Sequence, residues 1–267
     1  MADEEAGNPR LRALVTLLKA LAPFSGLHAM IGGWVPYFLL ERHGRAGWAH
    51  VGSLDLDFVF DPAQLTPKRR VEIRAALAAI GARPRKPERA NFYFEDSFLV
   101  PVEHEGQTLQ IQVDLMGVDV AEGEPFDWRS RTLMAIRHSE MIEVRWGGEV
   151  VPFRVSNAAA LVCLKALALS ERRKPKDAYD LYTLLRYYKE GPATLARELI
   201  PVLQSGPPAR LAMRSLRKRF RNPLSEGPQM VVDFLMAGAP PEEQVQLRND
   251  VTALFQALFD ALGPDWL

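Results

Sequence analysis

Residues 54–60 read Leu54-Asp55-Leu56-Asp57-Phe58-Val59-Phe60, apolar and acidic in strict alternation before an apolar close. That period is the period of a half-buried strand. It puts Asp55 and Asp57 on one face and turns Leu54, Leu56 and Phe58 toward a core. Two carboxylates held side by side repel one another, so keeping them together calls for a cation. An all-oxygen ligand pair suits a hard divalent ion that shares its remaining positions with phosphate oxygens.

Upstream, residues 27–31 (LHAMI) form a short apolar strand that runs into Gly32-Gly33, and residues 34–43 continue as a helix with Pro36 in its first turn. The glycine pair lets the backbone approach a ligand, and the helix behind it would turn its N-terminus toward an anion such as a triphosphate. Ser53, beside Asp55, is taken with Gly32 and Gly33 as a nucleotide contact. A third acid is expected from a neighbouring strand. Asp114, inside the alternating run 108–115 (LQIQVDLM), is the candidate; an edge-strand charge is the plain alternative.

The rest of the first half reads as a helix over 9–22, a Gly-rich loop over 44–52, and a helix over 66–80 with Thr66 as N-cap and Pro67 behind it. Strands follow at 91–95 and 98–103, then a hairpin of 141–146 with 149–155 through Gly147-Gly148. From Ser156 the pattern changes to helices at 156–170, 175–188, 193–204, 207–220, 227–237 and 242–262. The expected architecture is α+β: a mixed-sheet domain over 1–155 and an all-helical domain over 156–267.

Formal net charge is zero, so any basic surface must be local. Cys163 is the one cysteine, which excludes an intrachain disulfide and suits a reducing compartment. The N-terminus is acidic and polar, unlike a signal peptide, and no apolar run is long enough to cross a bilayer. A soluble cytoplasmic protein without membrane contact is expected. No Walker A motif or nucleophile elbow occurs.

Gly32-Gly33, then the hDhDh strand with Asp55 and Asp57, then Asp114 on a later strand, match the pattern of the DNA polymerase β-like nucleotidyltransferase superfamily, which this chain resembles. The resemblance implies a polymerase-β-like fold with Mg²⁺ or Mn²⁺ bound by Asp55, Asp57 and Asp114. It also implies NTP as substrate and Asp114 either completing the metal site or acting as general base. Gly32-Gly33-Trp34 looks like the turn of aminoglycoside and lincosamide nucleotidyltransferases, but His50-Val51-Gly52-Ser53-Leu54-Asp55 departs from their R-x-H-x-D run. Residues 161–185 resemble the Lys…Arg…(Lys/Arg)-Asp-x-x-Asp-Leu signature of AbiEii/AbiGii-type toxins, including the MenT group. Lys165, Arg172, Lys176, Asp177 and Asp180 fall on those positions, with Arg173 as an alternative to Arg172.

The resemblance gives Lys165, Arg172 and Lys176 phosphate contacts. Lys165, on an otherwise small and apolar helix, reads either so or as a snorkelling stem. Asp177 and Asp180 share a helix face and would support the cations by ion pairing, while Asp177 also suits the first turn behind Pro175. In 209–221, Arg210, Arg214, Arg217, Lys218, Arg219 and Arg221 stand without an acid, and Arg210, Arg214, Arg217 and Arg221 run along one helical face. Such a helix face fits tRNA or another RNA, or else a solvated surface opposite the acids of 241–243. Arg69, Arg70, Arg74, Arg83, Arg85, Lys86 and Arg89 form a second basic region. The reading is therefore NMP transfer from NTP to RNA by the toxin of a toxin–antitoxin pair, with a cognate antitoxin as partner. Transfer to a small molecule such as an antibiotic, and a non-catalytic NTP-binding module, are the alternatives.

Overall fold

The computed structural model describes residues 8–85, 97–117 and 126–266. The strand expected at 91–95, with Lys86 and Arg89, lies outside the described residues. The chain divides into two compact units, Met1–Trp34 with Ser53–Ser156, and Val35–Gly52 with Asn157–Leu267.

The first unit is built on a seven-stranded mixed sheet of order β3-β4-β5-β2-β1-β7-β6. Its strands are β1 (His28–Ile31), β2 (Asp55–Phe60), β3 (Arg83–Pro84), β4 (Ser97–His104), β5 (Gln107–Met116), β6 (Ser139–Trp146) and β7 (Glu149–Ser156). β2 runs parallel to β5 and antiparallel to β1, and β1 meets β7 in parallel. On the apolar face of β2, Phe58 and Phe60 stand opposite Met30 and His28, all buried. Leu54 does not share that core: it precedes the first laddered residue and is 75% exposed. The β6–β7 hairpin turns through Gly147 and Gly148, both at positive φ, which a two-residue turn with the right strand twist requires.

Helix α1 (Pro9–Ala20) starts on Asn8, whose side chain accepts from the Arg10 amide, and buries Leu11, Leu14, Leu17 and Leu18. Helix α2 (Val35–His43) belongs to the second unit. Helix α3 (Pro67–Ala79) is capped by Thr66 through the Arg69 amide. Helix α4 (Phe126–Arg137), packed on β1, β2 and β7, has no counterpart in the sequence reading; among its described side chains Thr132, Met134 and Ala135 are buried.

The second unit is all helical: α2 with α5 (Ala158–Arg172), α6 (Pro175–Tyr187), α7 (Pro192–Gln204), α8 (Pro207–Arg219), α9 (Glu226–Leu235) and α10 (Pro241–Leu262). The segment Val35–Gly52, read from sequence with the first half, is held here. α2 buries Val35, Phe38, Leu39 and Leu40 and packs on α5 and α6. Backbone bonds from Arg45 to Tyr187 O (2.9 Å) and from Lys189 to His43 O (3.0 Å) tie down its end.

Candidate functional site

The parallel register of β2 and β5 pairs Asp55 with Gln112 and Asp57 with Asp114, so the polar face of β2 continues onto β5. Asp55, Asp57 and Asp114 each offer an oxygen within 4.8 Å of the other two. Asp55 and Asp57 are half-buried and Asp114 is buried. Ser53 donates to Asp55. Ser97, opposite Asp114 on β4, donates to its Oδ1, and Gln112 Nε2 reaches both its oxygens. Burial raises the Asp114 pKa and the Asp55 charge adds to that, while the Ser97 and Gln112 hydrogen bonds work against it. Gly32, at φ 84°, closes one side: a Cβ there would lie 1.9 Å from Asp57 Oδ2. Gly33 is buried in the same 3-10 turn, Gly32–Trp34.

Three convergent carboxylates, with neutral donors on Asp55 and Asp114, fit a hard divalent cation, and their chemistry suits Mg²⁺ or Mn²⁺ rather than a softer metal. The glycine at position 32 leaves Asp57 its place in that set.

In the second unit the helical signature forms a buried ionic cluster. Lys165 is 5% exposed, with Nζ 2.9 Å from Asp177 Oδ1 and 2.6 Å from Asp180 Oδ2. Arg172 grips Asp177 bidentately, Nε to Oδ2 at 2.8 Å and Nη2 to Oδ1 at 2.9 Å. Lys176 reaches Asp180 Oδ1 at 2.8 Å. Arg173 instead caps α5 in the left-handed region and pairs with Glu226, so Arg172 is the arginine of the cluster. Burial opposes the charge on Lys165, but Asp180 and Asp177 outweigh it and raise its pKa. Burial likewise opposes ionisation of Asp180, yet Lys165, His50 and Lys176 hold that carboxyl well below the usual range. Lys165 is therefore an engaged ammonium, neither a snorkelling stem nor an open one.

His50 joins this cluster. Its Nδ1 accepts the Gly52 amide at 3.0 Å, so Nε2 carries the proton and donates to Asp180 Oδ1 at 2.9 Å. The ring stacks on Tyr179, which stacks on Phe234. Burial lowers the His50 pKa, with Asp180 opposing, and the ring is neutral. No local motif signals this pairing, because His50 and Asp180 lie 130 residues apart.

On α8, Arg210, Arg214, Arg217 and Lys218 are exposed. Arg210 Nε also donates to Leu203 O at 3.2 Å. Arg221 lies beyond the helix, which ends at Arg219, so the face expected to include it is one residue shorter. Arg219 turns to Glu226. Of the second basic region, Arg69 and Arg70 cap the loop carbonyls of Gln64 and Leu65, and Arg85 donates to Gln112. Cys163 is buried, its thiol pKa pushed up to about 12 by burial.

A family model described as nucleotidyl transferase AbiEii toxin, type IV TA system, matches residues 49–226. No curated protein matches the chain. Among the described residues, no helix is long and apolar enough to cross a membrane.

Proposed function

The chain belongs to the AbiEii nucleotidyltransferase toxin family of type IV toxin–antitoxin systems, and on that premise we propose that it transfers a nucleoside monophosphate from an NTP to an RNA hydroxyl, with tRNA the first acceptor to test. The observation that carries the reading is the in-register meeting of Asp55, Asp57 and Asp114 across β2 and β5. These three would hold Mg²⁺ or Mn²⁺, which when bound supplies charge neutralisation to the phosphates and lowers the barrier to attack.

The chain's own residues account for the rest. The acceptor oxygen forms a bond to the α-phosphorus, the bond to pyrophosphate breaks, and the hydroxyl proton passes to a general base, which is Asp114 where that carboxylate does not complete the metal site. Gly32, Gly33 and Ser53 support binding of the nucleotide. Arg172 and Lys176, the more exposed cations of the cluster, would neutralise phosphate, with Lys165 holding Asp177 and Asp180 beneath them. Three cations against two carboxylates leave that cluster net positive with His50 neutral. The exposed arginines and lysine of α8 support RNA binding, because a row of cations on one helix engages a phosphate backbone. The family supports a reading in which the protein works in the cytoplasm beside a cognate antitoxin.

The test is incubation with each labelled NTP and total tRNA. Wild type should label tRNA, releasing pyrophosphate, and Asp55→Ala should not. Equal labelling by the variant sinks the assignment. Binding of tRNA that does not weaken between low and moderate salt would remove the α8 interface from it.

A further inference from the structure

Asp114 is held by a relay of side chains. Arg85 Nη1 donates to Gln112 Oε1. Gln112 Nε2 donates to Asp114 Oδ1 at 3.1 Å and to Oδ2 at 2.9 Å, and Ser97 Oγ donates to Oδ1. Chemistry forces the order. A guanidinium only donates and an ionised carboxylate only accepts, so a side chain joining them must carry both an acceptor and donors. The glutamine amide does, and Arg85 decides which of its ends faces Asp114.

The backbone keeps these links aligned. Gln112 and Asp114 are two apart on β5 and share a face. Ser97 stands opposite Asp114 across the β4–β5 ladder, and the Arg85 amide donates to Ser97 O at 2.7 Å. The consequence falls on the two oxygens of Asp114 unequally. Oδ1 accepts two donors, Ser97 and Gln112, which fill its lone pairs; among the described residues Oδ2 accepts only Gln112.

We infer that Gln112 and Arg85 are positioning residues for Asp114, fixing its carboxylate so that Oδ2, not Oδ1, is the oxygen left to bind a cation or take a proton. This rests on the reading of the three aspartates as a metal centre. It also removes Arg85 from the basic surface to which its charge alone would assign it, since its guanidinium is engaged with Gln112.

The test is a Mn²⁺ titration of the full-length protein by electron paramagnetic resonance, without nucleotide or RNA. Asp114→Ala should abolish the tight site. Gln112→Ala and Arg85→Met should each weaken it by about 10-fold or more, the usual cost of losing a group that orients a ligand. Because the two act in series, the double variant should be no more than about twofold worse than Gln112→Ala. Arg85→Lys, which can still donate to Oε1, should recover most of the affinity. In turnover, Arg85→Met should lower kcat and leave the KM for RNA unchanged. The inference is overturned if Asp114→Ala weakens Mn²⁺ while Arg85→Met does not, or if the two losses multiply, or if Arg85→Met raises only the RNA KM. An unchanged Mn²⁺ affinity in Asp114→Ala overturns the metal centre itself, a separate result. Arg85 is half-buried, so its Met and Lys variants carry the test even if Gln112→Ala melts early.

Discussion

The two units handle buried charge in opposite ways. In the first, three carboxylates converge, and the groups that hydrogen-bond Asp55 and Asp114 directly are neutral, Ser53, Ser97 and Gln112. In the second, Asp177 and Asp180 are paired with Lys165, Arg172, Lys176 and His50. The first arrangement, with neutral donors on Asp55 and Asp114, is suited to take a cation from solution. The second supplies its own cations and is suited to rigidity. Convergent acids alone do not reveal which kind of cluster they form; the partners do.

The largest expected effect breaks the first arrangement. Asp57→Ala should reduce nucleotide transfer by at least about 1000-fold, roughly 4 kcal/mol in the barrier, with little change in melting temperature. A variant that instead unfolds early would mean that the first cluster, too, is structural. The converse applies to the second. Lys165→Met leaves two buried carboxylates without their shared ammonium, so it should cost about 3–5 kcal/mol of stability in denaturant unfolding. A small loss there would erase the contrast.

Acid should separate the units next. His28, buried against Phe58 and Phe60 in the first unit, has its pKa lowered from 6.5 to about 4, mainly by burial. The unfolded chain binds that proton first, so stability is full above pH 6.5 and falls as pH drops toward 4, by on the order of 3 kcal/mol. Asp180, held below its ordinary 3.8, loses its contribution only as pH falls beneath that value. Hydrogen exchange at pH 7 and pH 4.5 should therefore show the first unit loosening, and the second too, because burial also lowers the His50 pKa there; what separates the units is the His28 share. His28→Phe should flatten the first unit's response.

The smallest effect concerns the surface. Arg214→Ala with Arg217→Ala should weaken tRNA binding several-fold and reduce the slope of log affinity against log salt by about 2. Stability should be unchanged, since both side chains are exposed.

Much of this was legible in the sequence, for reasons that differ by residue. The alternation around Asp55 and Asp57 and the helical spacing from Lys165 to Asp180 are local patterns, and they mark their elements directly. Thr66 and Pro67 announce a helix start in the same way. Leu54 misled because alternation continues one residue beyond the ladder that buries it. Helix α4 was silent because its described part offers few buried apolar side chains. The pairing of Asp57 with Asp114 depends on strand register, and that of His50 with Asp180 on tertiary packing. No spacing rule reaches either, although a lone buried-type acid in an apolar strand did single out Asp114.

The assignment of Val35–Gly52 to the helical unit has a consequence for synthesis. Neither unit is continuous in sequence: the chain enters the second at Val35, leaves it at Gly52 and returns only at Asn157. On a ribosome, Val35, Phe38, Leu39 and Leu40 emerge more than a hundred residues before the helices that bury them. A nascent chain therefore carries an uncovered apolar helix through most of its translation, and a fragment ending near Ser156 would expose it permanently. Emergence of α5 and α6, not passage of the α/β half, is the moment at which α2 first meets the helices that cover it.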